Sequence, residues 1–193
     1  MAVRRWEKIG KTEVVTDTKY KQFTRDRWVN PKTGNTEEYF FLGTKNNKTP
    51  TIIFAITSDD QVIAIKQFRH GAEEVLIETP GGNPKTSDEL PEMVALRELE
   101  EETGFRPGEI ILLGSEPMWF EPCSYKVGFY PVLAKDCKKV GDQELDETED
   151  MECVLIPLDE WLDMIRLGAI RDSKTITVTF LALPHLGINI NTA

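Results

Sequence analysis

Four glutamates and one arginine occupy the six positions from Arg97 to Glu102, and a glycine follows at position 104. On an α-helix, Glu98, Glu101 and Glu102 fall on one face. Like charges on one face repel each other by roughly 0.2–0.5 kcal/mol per adjacent pair, and the negative end of the helix dipole disfavours them further. Such a face is typical either of a solvated surface or of a site for hard divalent cations such as Mg²⁺, which bind carboxylate oxygens and pair with substrate phosphates.

The residues upstream of this helix favour the cation site. Pro80-Gly81-Gly82 precedes a polar loop, which leads to Glu89 and then to Arg97. The stretch from Gly82 to Phe105 resembles the Nudix box, Gly-x5-Glu-x7-Arg-Glu-U-x-Glu-Glu-x-Gly-U, where U is a bulky apolar residue. From Glu89 onward every fixed position matches, whereas six residues rather than five separate Gly82 from Glu89. The extra residue lies in the loop 83–88, where insertions are tolerated best.

The resemblance implies the ligands of a metal-dependent hydrolase. Glu98, Glu101 and Glu102 would ligate Mg²⁺, for which Mn²⁺ would substitute, and the carbonyl of Gly81 would add a ligand. Arg97 would orient the glutamates. The alternative for Arg97 is an ordinary helix salt bridge to Glu101, which lies four residues further on.

A second acidic stretch runs from Glu144 to Glu152. By itself it predicts a solvated loop. It is also similar to the acidic loop of the branch of Nudix enzymes that cleaves ADP-ribose and other nucleoside-diphosphate sugars. In that branch a Glu-x-Glu-Asp-apolar element supplies a general base and a further metal-facing carboxylate. The match to residues 147–151 implies that Glu147 is the base, with Glu149 as the alternative base or a metal contact.

Two further residues are candidates for substrate binding. Gln67-Phe68-Arg69 resembles the Gln-aromatic-Arg strand end of the same branch, so Arg69 is predicted to hold a phosphate or the terminal ribose, unless it forms a structural ion pair. Trp28 is predicted to stack on the base, with buried packing as the alternative. Many members of the branch carry Ser-Pro-Gly before a glutamate, which residues 121–126 of this chain lack.

Composition excludes several other classes of protein. A formal net charge of −10 argues against binding to nucleic acid, which requires a basic surface. No run approaches the roughly 18 apolar residues of a membrane helix, and residues 1–6 lack the apolar segment of a secretory signal. The three cysteines form no CxxC motif and read as reduced thiols. We therefore expect a cytoplasmic protein without membrane or nucleic-acid partners.

Hydrophobic patterns and turn residues predict a mixture of strands and helices. Strands 23–29 and 36–42 are expected to pair around the turn 30–35, and strands 50–58 and 61–68 to form a hairpin. The helix of the box is expected to begin at Pro91, with the weak capper Leu90 before it, and to end at Gly104. Other predicted strands are 75–78, 109–114, 128–134 and 151–157, and other predicted helices are 158–167 and 174–183.

This mixture indicates an α+β fold with a mixed sheet between helices. The resemblance implies the α/β/α Nudix sandwich, as a domain of residues 49–193. Residues 1–48 would form a β-rich N-terminal extension that makes a homodimer.

The predicted function is Mg²⁺-dependent hydrolysis of the pyrophosphate of ADP-ribose or another nucleoside-diphosphate sugar, giving a nucleoside monophosphate and a sugar phosphate. One alternative is a pyrophosphatase acting on (deoxy)nucleoside triphosphates or dinucleotides. Another is a non-catalytic nucleotide-binding regulatory module, which would not need the full set of glutamates. A calcium-binding interaction protein would require an Asp-x-Asp-x-Asp-Gly loop that the sequence lacks.

Overall fold

The computed structural model describes residues 3–45 and 48–188, and the chain forms two compact units. The first comprises Met1–Lys48 together with Trp119–Gly128, and the second comprises Thr49–Met118 and Phe129–Ala193. The backbone amide of Leu42 donates to Ser124 (2.8 Å), and that of Lys126 donates to Leu42 (2.9 Å). Because of these bonds, the first unit includes a later segment in addition to the N-terminal strands.

The first unit contains an antiparallel sheet of three strands, which are β1 (Glu7–Asp17), β2 (Lys21–Val29) and β3 (Thr36–Thr44). Strands β2 and β3 pair in register from Lys21 opposite Thr44 to Val29 opposite Thr36. The predicted pair of strands around residues 30–35 is therefore confirmed. Their β-branched and aromatic residues suit an extended backbone.

A buried carboxylate ties this unit together. Asp26 on β2 is 1% exposed. It lies 2.5 Å from the ammonium of Lys126, and 2.9 Å from that of Lys8 in an ion pair that lacks hydrogen-bond alignment. Burial opposes ionisation of Asp26, but the two lysines outweigh burial and lower its pKa to about 2. The carboxylate thus links β1, β2 and the segment Trp119–Gly128.

The second unit is built on a mixed sheet. Its strands are β4 (Thr51–Thr57), β5 (Gln61–Arg69), β6 (Glu74–Glu78), β7 (Gly81–Gly82), β8 (Phe105–Arg106), β9 (Glu109–Leu112), β10 (Met118–Trp119, where the chain passes between the units), β11 (Gly128–Lys139) and β12 (Met151–Pro157). The central strand β4 runs antiparallel to β5 and parallel to β11. Strand β5 also pairs with β6 and β12, while β7 pairs with β4, and β8 and β9 pair with β11.

Helices cover both faces of this sheet. They are α1 (Pro91–Thr103), α2 (Leu158–Arg166) and α3 (Ser173–Ala182), followed by a 3₁₀ helix (Leu183–Leu186). Ile53 of β4 packs in a buried cluster with Leu99 of α1, whereas the next residue, Phe54, contacts Trp161 of α2 with ring centroids 6.5 Å apart. Successive side chains of a strand point to opposite faces, so α1 and α2 lie on opposite sides of the sheet. The predicted α+β sandwich with a mixed sheet is confirmed.

The ends of α1 are where the sequence predicts them. Pro91 is the first helical residue, and Leu90 before it provides no side-chain cap. Gly104 has φ 71°, a left-handed conformation that glycine adopts without strain, and its N–H donates to Glu100 (2.8 Å). Among the described residues, no helix is long and apolar enough to cross a membrane.

Strand β11 is longer than predicted. It continues five residues past the expected end at Ala134, to Lys139. Its pairing with β4 is irregular between Ala134 and Cys137, and Asp136 has φ 52°. This bulge places the polar residues Lys135 and Asp136 where the alternating pattern breaks, so the sequence pattern ends early.

Candidate active site

The glycine pair sits directly against the helix of the box. Gly81 and Gly82 form β7, which pairs with Ile52 and Thr51 of β4. A Cβ on Gly82 would overlap the carboxylate of Glu98, so only glycine lets Glu98 pack there. The N–H of Gly81 donates to Oε2 of Glu102 (2.8 Å). The pair therefore positions two of the three predicted metal ligands, while the role of the Gly81 carbonyl stays a prediction.

Arg97 is the centre of the ion-pair network on this helix face. Its Nη1 donates to Oε1 of Glu98 (2.7 Å) and to Oε2 of Glu101 (2.9 Å). Its Nε donates to Oε1 of Glu89 (3.1 Å), and its Nη2 donates to the carbonyl of Asn83 (3.0 Å). The helix salt bridge to Glu101 is therefore present, but it is one part of a larger set. A single guanidinium fixes two carboxylates of α1 and the loop before the helix.

Glu101 has a second cationic partner in that loop. Nζ of Lys85 donates to Oε1 of Glu101 (2.8 Å), and the backbone N–H of Lys85 donates to Oε2 of Glu89 (2.5 Å). Partial burial opposes ionisation of Glu101, but the hydrogen bonds from Lys85 and Arg97 outweigh it and lower the pKa. Both oxygens of Glu101 are thus held by side-chain cations.

The other two glutamates are buried in surroundings that oppose their ionisation. Burial raises the pKa of Glu98, although Arg97 opposes that shift. Glu102 is 5% exposed. Burial, together with the nearby charges of Glu98 and Glu149, raises the pKa of Glu102 to about 8 despite the Gly81 hydrogen bond. This face of α1 therefore favours a proton or a metal ion at neutral pH.

The acidic loop brings Glu149 toward these carboxylates. Glu149 is half-buried, and its charge raises the pKa of both Glu98 and Glu102. Its Oε2 accepts from the N–H of Asp146 (3.0 Å), which holds the side chain in a turn. Glu147 is exposed and is not among the main groups that shift either pKa. Of the two candidate bases, Glu149 is the one whose charge acts on the helix.

Two side chains that the sequence did not single out attach this loop to the end of α1. Nε2 of Gln143 donates to the carbonyls of Glu102 (2.7 Å) and Met151 (3.3 Å). Nζ of Lys139 donates to the carbonyl of Thr103 (2.9 Å). Carbonyls at a helix C-terminus lack partners within the helix and favour cations. The donors lie 36 and 41 residues away along the chain, so no local sequence signal reveals them.

Arg69 lies beside the site in an ion pair. Its Nε and Nη2 donate to the two oxygens of Glu78 (2.9 and 2.6 Å), a carboxylate that is 2% exposed. The structural ion pair considered as the alternative is therefore present, and it leaves Nη1 outside the pair. The charges of Arg69 and Glu102 act on each other's pKa, which places the guanidinium near the helix face. Trp28 is half-buried on β2 in the first unit, and its stacking role stays a prediction.

The carboxylates of α1 are chemically suited to a hard divalent cation, but their present positions do not form a complete coordination site. Among the described residues, no three carboxylate, imidazole or thiolate groups converge closely enough to hold a metal ion as they stand. Arg97 pairs with one oxygen of Glu98, and Arg97 and Lys85 together pair with both oxygens of Glu101. Carboxylate oxygens are the ligands that Mg²⁺ prefers. Burial, and then the charges of Glu98 and Glu149, raise the pKa of Glu102, so a bound cation would stabilise its carboxylate. The residues fit a divalent ion if that ion replaces one of the two side-chain cations, Lys85 or Arg97, that now pair with Glu101.

Parts of this chain are similar in sequence to known proteins. The NUDIX domain family model matches residues 47–177, which is more than half of the chain. The ADP-ribose pyrophosphatase of Bacillus subtilis (strain 168) is 31% identical over 124 residues, which span 64% of this chain and 65% of that protein. The methanol dehydrogenase activator of Bacillus methanolicus is 33% identical over 138 residues, or 68% of this chain and 70% of that one.

Two further comparisons extend the likeness. A GDP-mannose pyrophosphatase of Escherichia coli O1:K1 / APEC is 31% identical over 143 residues, or 70% of this chain and 74% of that protein. A solved structure of an ADP compounds hydrolase has a TM-score of 0.81 at 21% identity, over 97% of both chains, and shows the same fold. The predicted enzyme class, a Nudix pyrophosphohydrolase, is the class that two of the three relatives carry in their names. The chain belongs to the Nudix family.

Proposed function

We propose that this protein hydrolyses the pyrophosphate bond of a nucleoside-diphosphate sugar such as ADP-ribose, with Mg²⁺ as its cofactor and Mn²⁺ as a substitute. The products are a nucleoside monophosphate and a sugar phosphate. The observation that carries the proposal is the face of α1, where buried Glu98 and Glu102 are short of positive charge beside Glu101. The names of two relatives, which specify ADP-ribose and GDP-mannose, support the substrate class.

The residues around this face have separate tasks in the proposed reaction. Glu98, Glu101 and Glu102 would hold a divalent ion, which would neutralise charge on the diphosphate and acidify a water molecule. Arg97 keeps Glu98 and Glu101 in fixed positions by sharing one nitrogen between them. Glu78 holds Nε and Nη2 of Arg69, so Nη1 lies outside this ion pair and is suited to a phosphate oxygen of the substrate.

Glu149 is assigned the role of general base, with Glu147 as the alternative. A base must lie within hydrogen-bond reach of the water from which it takes a proton. The charge of Glu149 raises the pKa of both Glu98 and Glu102, which supports a role for Glu149 at this face. Gln143 ties the start of its loop to α1, so the loop has a fixed origin.

We also propose a homodimer that forms through the first unit. Several large apolar side chains of this unit are 40–64% exposed, namely Val14 and Val15 on β1, Tyr20 in the turn before β2, Phe23 on β2 and Phe40 on β3. Apolar surface of this kind marks protein interfaces. All three cysteines are free thiols, which suits a reducing cytoplasm.

For assembly, we expect light scattering at micromolar concentration to give about twice the chain mass of 22.0 kDa. Tyr20→Ser and Phe23→Ser together should shift the mass toward one chain, because they remove exposed apolar surface from the first unit. A wild-type mass of one chain would contradict the dimer.

For substrate and cofactor, the test is a panel of nucleotide sugars, nucleoside triphosphates and dinucleotides, with release of phosphomonoester as the measurement. We expect ADP-ribose or another nucleoside-diphosphate sugar to be cleaved fastest with Mg²⁺. EDTA should abolish the reaction, and Mg²⁺ or Mn²⁺ should restore it. Full activity after removal of metal would contradict the mechanism, and a preference for triphosphates would contradict the substrate class.

For the base, Glu149→Gln and Glu147→Gln form a matched pair on one loop. A positioned general base contributes about 10²–10⁴-fold to rate. We expect Glu149→Gln to lower kcat by about that factor with little change in KM, and Glu147→Gln to keep kcat within threefold of wild type. The measurement is kcat at saturating Mg²⁺. The reverse pattern would make Glu147 the base.

A further inference from the structure

The loop 83–88, which is one residue longer than in the Nudix box, contains a lysine that contacts α1. Loop 83–88 carries Lys85, whose backbone N–H is bound by Glu89 (2.5 Å). Glu89 is in turn held by Arg97 (3.1 Å). This anchoring directs the Lys85 side chain onto Oε1 of Glu101 at 2.8 Å, although 64% of that side chain is exposed.

We propose that Lys85 is an internal counter-cation that competes with the divalent metal ion for Glu101. This inference rests on the proposed metal-dependent function, and it assigns Lys85 a positioning role rather than a catalytic one. When the metal ion binds, Lys85 leaves Glu101, and when the metal ion leaves, Lys85 returns. The lysine therefore sets how tightly the site holds its ion.

The relative strength of the two partners of Glu101 supports this division. Arg97 makes hydrogen bonds to three carboxylates and is largely buried, with 19% of its side chain exposed. The ion pair between Lys85 and Glu101 has its ammonium on an exposed side chain, and exposed pairs are weak. The Lys85 ammonium is therefore the partner that a divalent ion displaces more easily.

Charge repulsion adds to competition for the oxygen. A positive charge a few ångströms from a divalent cation raises the free energy of the metal-bound protein. Solvent screening reduces this repulsion when the charge is on an exposed side chain. Removing the Lys85 charge should therefore tighten metal binding by a modest factor, about three- to tenfold.

The experiment measures Mn²⁺ binding to the metal-stripped full chain from the electron paramagnetic resonance signal of free Mn²⁺. The variants are Lys85→Gln, Lys85→Arg and the control Lys138→Gln, which removes the same charge from an exposed lysine on β11. We expect Lys85→Gln to lower the dissociation constant three- to tenfold. Lys85→Arg and Lys138→Gln should stay within twofold of wild type, since the first keeps the charge and Lys138 is not among the main groups that shift the pKa of Glu101.

Several results would overturn the inference. An unchanged or raised dissociation constant in Lys85→Gln would show that the lysine does not compete with the ion. If Mn²⁺ affinity were unchanged while KM rose at saturating Mn²⁺, Lys85 would be a substrate ligand instead. Equal tightening in Lys138→Gln would reduce the effect to net charge. Because Mn²⁺ binding is measured without substrate, the changes in dissociation constant test the inference whether or not the chain cleaves nucleotide sugars.

Discussion

The site depends on one guanidinium that serves more carboxylates than it can neutralise. Arg97 joins Glu89, Glu98 and Glu101, and through the Asn83 carbonyl it also fixes the loop before α1. Glu102 lies outside this network, and the Gly81 amide is its one hydrogen-bond donor among the described residues. A face built in this way holds its carboxylates in place and still lacks positive charge. The proposed metal binding rests on that shortage, which the charge of Glu149 increases.

Much of the second unit could be predicted because its signals are local. Pro91 marks the start of α1 because proline has a fixed φ, and Gly104 marks its end because it adopts a left-handed φ. Neither effect depends on distant residues. The hairpin of β4 and β5 is likewise visible from two apolar runs around Asp59 and Asp60. The spacing of the residues in the Nudix box predicts the family and the fold, and the comparisons confirm both.

What the sequence did not reveal depends on contacts between distant residues. Gln143 and Lys139 hold the end of α1 from 41 and 36 positions away, and the bond of Leu42 to Ser124 adds a later segment to the first unit. The partner of Arg69 also required the structure, because Glu78 is an unremarkable strand residue until its burial is known. Glu147 and Glu149 are equivalent in sequence, and only the folded loop distinguishes their charges at the helix.

The most direct test of the charge shortage is the free energy of unfolding in EDTA, measured by urea titration from pH 4.5 to 9 for wild type, Glu102→Gln and Glu100→Gln. The pKa of Glu102 lies above its ordinary value of 4.5, so its contribution to stability is present below pH 4.5 and is lost as pH rises through about 8. Glu102→Gln should remove most of that loss and be more stable than wild type at pH 8 by on the order of a few kcal/mol. Glu100→Gln, which breaks an exposed pair with Arg106, should follow the wild-type slope. Parallel curves for wild type and Glu102→Gln would contradict the claim that the face of α1 opposes ionisation of Glu102.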